Sequence, residues 1–181
     1  FLRVIKFTLD TKDYGLLIKP KEPDGPNWDL VMSTDSDYAG DKDNRICVTG
    51  FILYLCGVAI SWKSKGQKSV TLSSSEAEFV ALSEVAKDVK FVVQILLSMG
   101  IAVKLPVIVR VDNVGAIFMA ENVTTSTRTR HVDVRYHFVR EFVEDGFIKI
   151  TFARTTENTA GIFTKNVTGE LYDTQTASIL S

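Results

Sequence analysis

Three acidic residues occupy positions where a mixed sheet would bring their side chains together. Asp35 ends a short apolar run that predicts a first strand, Glu78 lies in the second turn of a long predicted helix, and Asp112 ends a fourth predicted strand. Strand ends next to the start of a helix are where ligands gather in open α/β sheets. The spacing therefore predicts one acidic cluster.

The chemistry that such a cluster supports depends on a cation. Three adjacent carboxylates repel one another and raise each other's pKa values, and a hard divalent cation such as Mg²⁺ removes that cost. Two ions about 4 Å apart activate a water and stabilise a leaving oxygen, which is metal-assisted phosphodiester hydrolysis. Taken singly, each acid has a more common alternative: an Asp that ends a strand forms a turn, and an early-helix Glu serves the helix dipole.

The elements that would position these acids follow the order βββαβααβα, which predicts an α/β fold. Three strands with short links predict an antiparallel meander, and the strands that follow the helices suit parallel crossovers. The result is a mixed five-stranded sheet, three antiparallel strands and then two parallel ones, with flanking helices. The predicted strands are 30–35, 49–56, 59–62 with 70–72, 106–111 and 147–153, and the predicted helices are 73–99, 114–120, 133–143 and 158–165.

Composition bounds the class of protein. The chain has 181 residues, of which 45% are hydrophobic and 24% charged, with a formal net charge of −1. That length fits one domain with an appendage. The near-zero charge excludes bulk polycationic binding of nucleic acid, so any such contact must come from local patches. No stretch of 18 apolar residues predicts a membrane span.

Several motifs appear along the chain in a fixed order. They are Ser-Thr-Asp-Ser-Asp-Tyr-Ala-Gly-Asp from position 33, Ile-Ser-Trp-Lys-Ser-Lys from 60, Leu-Ser-Ser-Ser-Glu-Ala-Glu from 72, Val-Asp-Asn from 111, Arg-Thr-Arg-His-Val-Asp-Val-Arg-Tyr-His from 128 and Ile-Phe-Thr-Lys from 162. Over residues 1–166, the chain resembles the ribonuclease H region of the Pol polyprotein of copia-type LTR retrotransposons. Residues 1–17 resemble the end of the reverse transcriptase that precedes it.

This resemblance implies an RNase H-like fold, two Mg²⁺ ions with Mn²⁺ as a substitute, and cleavage of the RNA strand of RNA–DNA hybrids. The implied partners are the hybrid and the reverse transcriptase part of the same polyprotein, with no membrane. Asp35, Glu78 and Asp112 match the family's catalytic metal ligands. Asp37 and Glu76 are reserve candidates; Glu78 is preferred because residues 78–82 fit the family pattern Glu-x-x-Ala-(Ile/Leu).

One of the departures from the family falls on a metal ligand. Copia-type sequences usually have Ala-Asp-Ile-Phe-Thr-Lys near the end, whereas this chain has Ala-Gly-Ile-Phe-Thr-Lys from position 160. Gly161 therefore stands at the position of the lost fourth ligand. We expect the fold to persist with low or absent activity. The alternative is a catalytically inactive retroelement remnant that folds and binds nucleic acid without cleaving it.

A second set of residues predicts contacts with nucleic acid. Basic residues interleaved with histidine suit phosphate binding, although a solvated helix face explains them equally well, and Asn113 suits a helix cap as well as a nucleotide contact. The candidates are Asn113, Arg128, Arg130, His131 and Arg135.

Three segments divide the chain. We expect residues 1–27 to be the end of the reverse transcriptase with a linker, 28–167 to be the RNase H-like domain, and 168–181 to be a flexible tail. Phe1 opens the chain without a Met, which suggests an excised fragment. Two cysteines form no disulfide framework, so we expect an intracellular location, in a cytoplasmic virus-like particle or the nucleus, without secretion.

Overall fold

A computed structural model describes residues 2–23, 25–38, 40, 45–122, 130–177 and 179–180, with only the backbone described at 3, 130–134 and 136. Within these residues the strands are β1 (Leu30–Asp37), β2 (Val48–Leu55), β3 (Val58–Gly66), β4 (Val107–Val111) and β5 (Ile148–Phe152). The helices are α1 (Leu2–Asp10), α2 (Ser74–Ser98), α3 (Val114–Glu121), α4 (Arg130–Glu144) and α5 (Gly169–Thr176), with a 3₁₀ helix at Thr159–Phe163.

The five strands form one sheet in the order β3-β2-β1-β4-β5. β1 pairs antiparallel with β2 and parallel with β4, and β4 pairs parallel with β5. The predicted mixed sheet is therefore confirmed. β1 lies at the centre and pairs with β2 along its full length, but with β4 only at residues 31–33. Asp35 therefore lies just beyond the β4 pairing and opposite Gly50 of β2.

Helix α2 begins and ends where its sequence provides caps. The Ser73 hydroxyl accepts a hydrogen bond from the backbone N–H of Glu76, which satisfies one of the unpaired donors of the first turn. Gly100 follows the helix with φ +79°, a left-handed conformation that glycine adopts without strain. The apolar face of α2, which includes Phe79, Leu82 and Val89, is buried against the sheet.

Alternation along the strands produces two packed faces. In β2, Phe51 and Leu53 belong to the main core with α2, whereas Ile52 belongs to a smaller cluster that includes Ile179. Successive side chains of a strand point to opposite faces, so one strand supplies both clusters. The sheet is thus covered on one face by α2 to α4 and on the other by the segment after β5.

The structure differs from the expected elements in three places. Residues 70–72 form no strand, because the Leu72 N–H binds the Glu76 carboxylate at the start of α2. The expected last helix is a short 3₁₀ helix, Thr159–Phe163, capped by Asn158. The expected flexible tail instead contains α5, in which Gln175 is buried, followed by buried Ile179. The boundary after residue 27 stays a prediction.

No helix among the described residues is both long enough and apolar enough to cross a membrane.

Candidate metal centre

Three acidic side chains converge where the centre of the sheet meets the first turns of α2. Asp35 comes from β1, Glu78 from α2, and Asp112 directly follows β4. One carboxylate oxygen of each lies within 4.8 Å of the others. Asp35 and Glu78 are buried and Asp112 is half-buried. Parallel pairing of β1 with β4 brings residues 35 and 112 together, and the crossover through α2 supplies Glu78.

Glu78 is the most strongly perturbed of the three. Its side chain is 4% exposed, its Oε1 accepts a hydrogen bond of 2.8 Å from the Ser36 backbone N–H, and its Oε2 has no partner among the described residues. Burial, and then the negative charge of Asp35, raise the pKa of Glu78 to about 9. Without a cation, this carboxyl therefore holds a proton at neutral pH.

Asp112 lies in a more polar setting. The Thr155 hydroxyl donates a hydrogen bond of 2.9 Å to its Oδ2. Burial, and then the charge of Asp35, raise the pKa of Asp112 above its ordinary value, while the Thr155 bond acts in the opposite direction. Asp112 is the most accessible of the three acids, since Asp35 and Glu78 are both buried.

Asp35 is closely covered by the segment after the 3₁₀ helix. Its side chain is 1% exposed; the Thr164 hydroxyl donates to Oδ2, and the Lys165 ammonium lies 3.2 Å from Oδ1. Burial alone would lower the pKa of Lys165, but the carboxylates of Asp35, Asp112 and Glu78 outweigh it and raise the pKa. Lys165 is therefore a charged partner of the whole cluster.

Gly50 makes room for this cover. A Cβ at position 50 would come within 2.9 Å of the Phe163 Cβ and 3.0 Å of the Ala160 carbonyl oxygen. The 3₁₀ helix therefore approaches β2 directly opposite Asp35. Asn158, fully buried, holds the same segment by donating to the Thr34 carbonyl at 2.8 Å.

The donor set fits a hard divalent cation. It offers carboxylate oxygens alone, which Mg²⁺ and Mn²⁺ accept, and the orphaned Oε2 of Glu78 is buried within the cluster. A cation there would favour the ionised form of Glu78 and remove the mutual repulsion of the three carboxylates. Asp35, Glu78 and Asp112 are the residues that could hold it.

The reserve candidates lie outside this cluster. The Glu76 carboxylate accepts a hydrogen bond of 2.7 Å from the Leu72 N–H. The backbone N–H of Glu76 donates to the Ser73 hydroxyl, which caps the helix. Asp37 is partly buried, and its carboxylate lies against the backbone of Gly40. The grouping of acids that could share a metal ion includes neither of them among the described residues.

Gly161 lies in the 3₁₀ helix beside the cluster and is buried. A Cβ added there would lie 3.6 Å from the Lys165 Cε and 3.9 Å from the Gln175 Oε1, which are ordinary contact distances. A side chain at position 161 therefore has room, and it would meet the lysine that covers Asp35.

The predicted nucleic-acid contacts are only partly described. Asn113 caps α3 through a hydrogen bond from the Ala116 N–H, and the Ser75 hydroxyl also donates to it. Arg135 donates to the Ser69 hydroxyl at 3.1 Å. Arg128 lies outside the described residues, and Arg130 and His131 are described only as backbone of α4.

Three residues at the cluster, Thr155, Thr164 and Lys165, had no role predicted from the sequence. The last two lie within the Ile-Phe-Thr-Lys motif, so their position in a family pattern was the available signal. Thr155 offered none, because its contact with Asp112 depends on the turn that follows β5.

The fold and the acidic cluster together define a protein of the ribonuclease H class of folds. A ribonuclease H1, LC11, isolated from compost by a metagenomic approach aligns with a TM-score of 0.57 at 14% identity, covering 75% of this chain and 92% of that one. The N-terminal RNase H domain of a Mycobacterium tuberculosis protein aligns with a TM-score of 0.54 at 13% identity, covering 83% and 95%. These similarities show the fold.

Sequence relatives specify the resemblance further. The chain is 32% identical over 163 residues to the retrovirus-related Pol polyprotein from transposon RE1 of Arabidopsis thaliana, and 42% identical over 134 residues to that from transposon TNT 1-94 of Nicotiana tabacum. These matches cover 90% and 74% of this chain. The chain therefore belongs to the family of retrovirus-related Pol polyproteins of copia-type transposons, and the predicted resemblance is confirmed. The chain spans 11% and 10% of those relatives. No family model matches the chain.

Proposed function

We propose that the chain is a ribonuclease H that hydrolyses the RNA strand of RNA–DNA hybrids during retrotransposon reverse transcription. One observation carries this proposal: three carboxylates, from β1, from α2 and from the residue after β4, lie within 4.8 Å of one another on an RNase H fold. Similarity to Pol polyproteins supports the same enzyme class.

Bound divalent cations, two in the proposed mechanism, would supply Lewis-acid activation of a water and charge neutralisation at the leaving oxygen. Asp35, Glu78 and Asp112 would bind and orient these ions. Thr155 fixes one oxygen of Asp112, and the Ser36 N–H fixes one oxygen of Glu78, so the remaining oxygens are held ready for metal. Mn²⁺ accepts the same ligands as Mg²⁺.

Two observations support an RNA–DNA hybrid as the substrate: a complex of a protein with the same fold, and the basic residues of this chain. LC11 ribonuclease H1, which shares the fold, has been solved in complex with an RNA/DNA hybrid. In this chain Arg135 is one candidate phosphate contact, with Arg128, Arg130 and His131 on the same segment and Asn113 next to Asp112. Lys63, Lys65 and exposed Trp62 on the edge strand β3 offer a further basic surface.

A second candidate function is hybrid binding without cleavage. Gly161 provides no fourth carboxylate, and Lys165 already neutralises Asp35. The missing carboxylate at position 161 weakens binding of a second cation more than of the first, and the Lys165 ion pair opposes any cation that uses Asp35. The proposed activity is therefore low, and a catalytically inactive remnant is the limiting case.

The remaining proposals concern context. The reverse transcriptase part of the same polyprotein is the proposed covalent neighbour, because the relatives are Pol polyproteins. An intracellular location suits two buried cysteines that are present as thiols.

Hybrid cleavage tests the proposed function. We expect the chain to cut the RNA strand of a labelled RNA–DNA duplex in Mg²⁺ or Mn²⁺ and to stop when EDTA is added. Asp112→Asn should reduce the rate by at least the roughly 100-fold that loss of a ligand's supporting partner can cost. Asp29→Asn is the control of equal charge change, since Asp29 pairs on the surface with Lys104.

The outcomes separate the two candidates. Equal rates for Asp112→Asn and the unsubstituted chain would exclude the acidic cluster as the catalytic centre. Hybrid binding that weakens with salt, without any cleavage in either metal, would favour the inactive remnant.

A further inference from the structure

Both oxygens of Asp35 are engaged by the protein itself. Thr164 donates to Oδ2, and the Lys165 ammonium lies 3.2 Å from Oδ1. The Asp35 side chain is 1% exposed, while that of Lys165 is 36% exposed, so the lysine is the member of the pair that can leave. A metal ion that binds Oδ1 of Asp35 would therefore lie close to this ammonium and compete with it for the same oxygen.

We propose that Lys165 is a built-in counter-ion of the acidic cluster, which competes with divalent cations for Asp35 and sets the metal affinity of the site. The inference rests on the proposed metal centre and adds the residue that regulates it. The protonated amine of Lys165 and a divalent cation bind the same carboxylate oxygen of Asp35. The free energy of metal binding is therefore reduced by the free energy of the competing ion pair.

Because Gly161 has no side chain, it offers Lys165 no alternative partner, and the lysine stays paired with Asp35. Among the described residues, Asp35 is the one carboxylate within ion-pair distance of Lys165. A Cβ at position 161 would lie 3.6 Å from the Lys165 Cε and in no tighter contact. A carboxylate there would be attracted by Lys165 and repelled by the unpartnered Gln175 Oε1, which is 3.9 Å from the same Cβ.

This geometry gives an acid at position 161 a second effect besides supplying a ligand. It would draw the ammonium away from Asp35 and release that carboxylate for metal. Residues 161 and 165 should therefore act as a coupled pair, because the acid relieves a competition that exists only while the lysine is present.

Titration of the chain with Mn²⁺ alone by calorimetry tests the proposal without any nuclease assay. We expect Lys165→Met to tighten Mn²⁺ binding at least about 10-fold, the factor for one charge-assisted hydrogen bond that no longer has to be broken. Lys104→Met is the control of equal charge change, and its affinity should match that of the unsubstituted chain. Unchanged or weaker binding by Lys165→Met overturns the proposal.

Thermal unfolding distinguishes competition from a purely structural role. Without metal, Lys165→Met should melt at a lower temperature, because Asp35 loses its counter-ion. With saturating Mn²⁺ it should gain more in melting temperature than the unsubstituted chain does. A structural role alone would lower both values equally. Lys165→Gln, which keeps a hydrogen-bond donor, serves if the Met variant does not fold.

Coupling is measured with Gly161→Asp in two backgrounds, the unsubstituted chain and the Lys165→Met variant. The gain in Mn²⁺ affinity from Gly161→Asp should be at least about threefold larger in the unsubstituted chain than in the Lys165→Met variant. Gly169→Asp, with the same charge change, should gain nothing in either background. Equal gains from Gly161→Asp overturn the coupling.

The outcomes also separate this inference from the proposed function on which it rests. If Lys165→Met binds Mn²⁺ more tightly but neither chain cleaves the hybrid, the role of Lys165 as counter-ion stands and the proposed nuclease activity is rejected. Absence of Mn²⁺ binding in every variant would reject both.

Discussion

Glu78 illustrates how one buried carboxyl links stability to metal binding. Its environment provides one backbone donor, from Ser36, and a neighbouring negative charge on Asp35. The protonated form is therefore favoured in the folded chain without metal. A cation reverses this preference, so binding should release a proton at neutral pH.

Stability without metal should fall as pH rises. The pKa of Glu78 is about 9 in the folded chain against an ordinary 4.5, so folding takes up a proton between these values. This contribution to the free energy of unfolding is fully present below about pH 4.5 and is lost progressively up to about pH 9. Glu78→Gln should flatten the decline, as measured by urea unfolding in EDTA from about pH 5 to about pH 9.

The control for this measurement is Glu84→Gln on the same helix, which should leave the decline as it is. Parallel pH profiles for Glu78→Gln and the unsubstituted chain would contradict the assignment of the raised pKa to Glu78.

For single residues, the sequence predicted which acids belong to the site but not which side chains contact them. Asp35, Glu78 and Asp112 could be nominated because strand ends and helix starts are recognisable from periodicity and caps, and the family pattern decided between Glu78 and Glu76. For Thr164 and Lys165 the sequence offered only their place in the Ile-Phe-Thr-Lys motif, since their approach to Asp35 requires a 3₁₀ turn packed against Gly50. No spacing rule links residues 130 positions apart in the chain.

The start of α2 is the element that fixes Glu78 in place. Ser73 caps the Glu76 N–H, and the Glu76 carboxylate returns to the Leu72 N–H. Gln67, just after β3, bonds to Thr49 of β2 and to the Ala77 carbonyl of α2. These bonds tie the first turn to two strands, so Glu78 cannot shift independently of the sheet.

Removal of the helix cap should cost measurable stability. Ser73→Ala leaves the Glu76 N–H without its acceptor, and we expect a loss of about 1 kcal/mol in the free energy of unfolding. Ser98→Ala, at the exposed far end of the same helix, should change it much less. Equal losses for the two variants in urea unfolding would show that the cap does not stabilise α2.

Element types were largely predictable from periodicity, and irregular segments were not. The apolar face of α2 recurs at helical spacing, and β2 alternates between two buried faces. Residues 70–72 are apolar enough for a strand, but their exposed Val70 and Leu72 have no sheet to join. The polar composition of 168–181 concealed α5, which the Thr168 cap begins.

Packing against the rest of the molecule differs along the amino-terminal segment. Helix α1 exposes most of its apolar side chains, and the ring of Phe7 contacts that of Tyr172 at 5.7 Å between centroids. The segment after it is held more firmly, since the Leu17 N–H donates to the Ile179 carbonyl and the Lys21 N–H to that of Cys56.

Deletion of residues 1–10 should therefore leave global stability nearly unchanged. We expect the free energy of unfolding to fall by less than about 1 kcal/mol, the range of surface changes rather than of core loss. Ile179→Ala, which empties part of the second core, should cost about 2–4 kcal/mol. A loss from the deletion as large as that from Ile179→Ala would show that α1 belongs to the cooperative unit.

The central place of β1 has a consequence for how the chain is made. Its parallel neighbour β4 is synthesised only after α2, and the residues that close over Asp35 come later still. While residues 38–106 are being synthesised, one edge of β1 therefore has no strand to pair with. Long-range strand pairing of this kind folds slowly and exposes intermediates that are prone to aggregation. That exposure lasts until β4 and the residues that close over Asp35 have been synthesised.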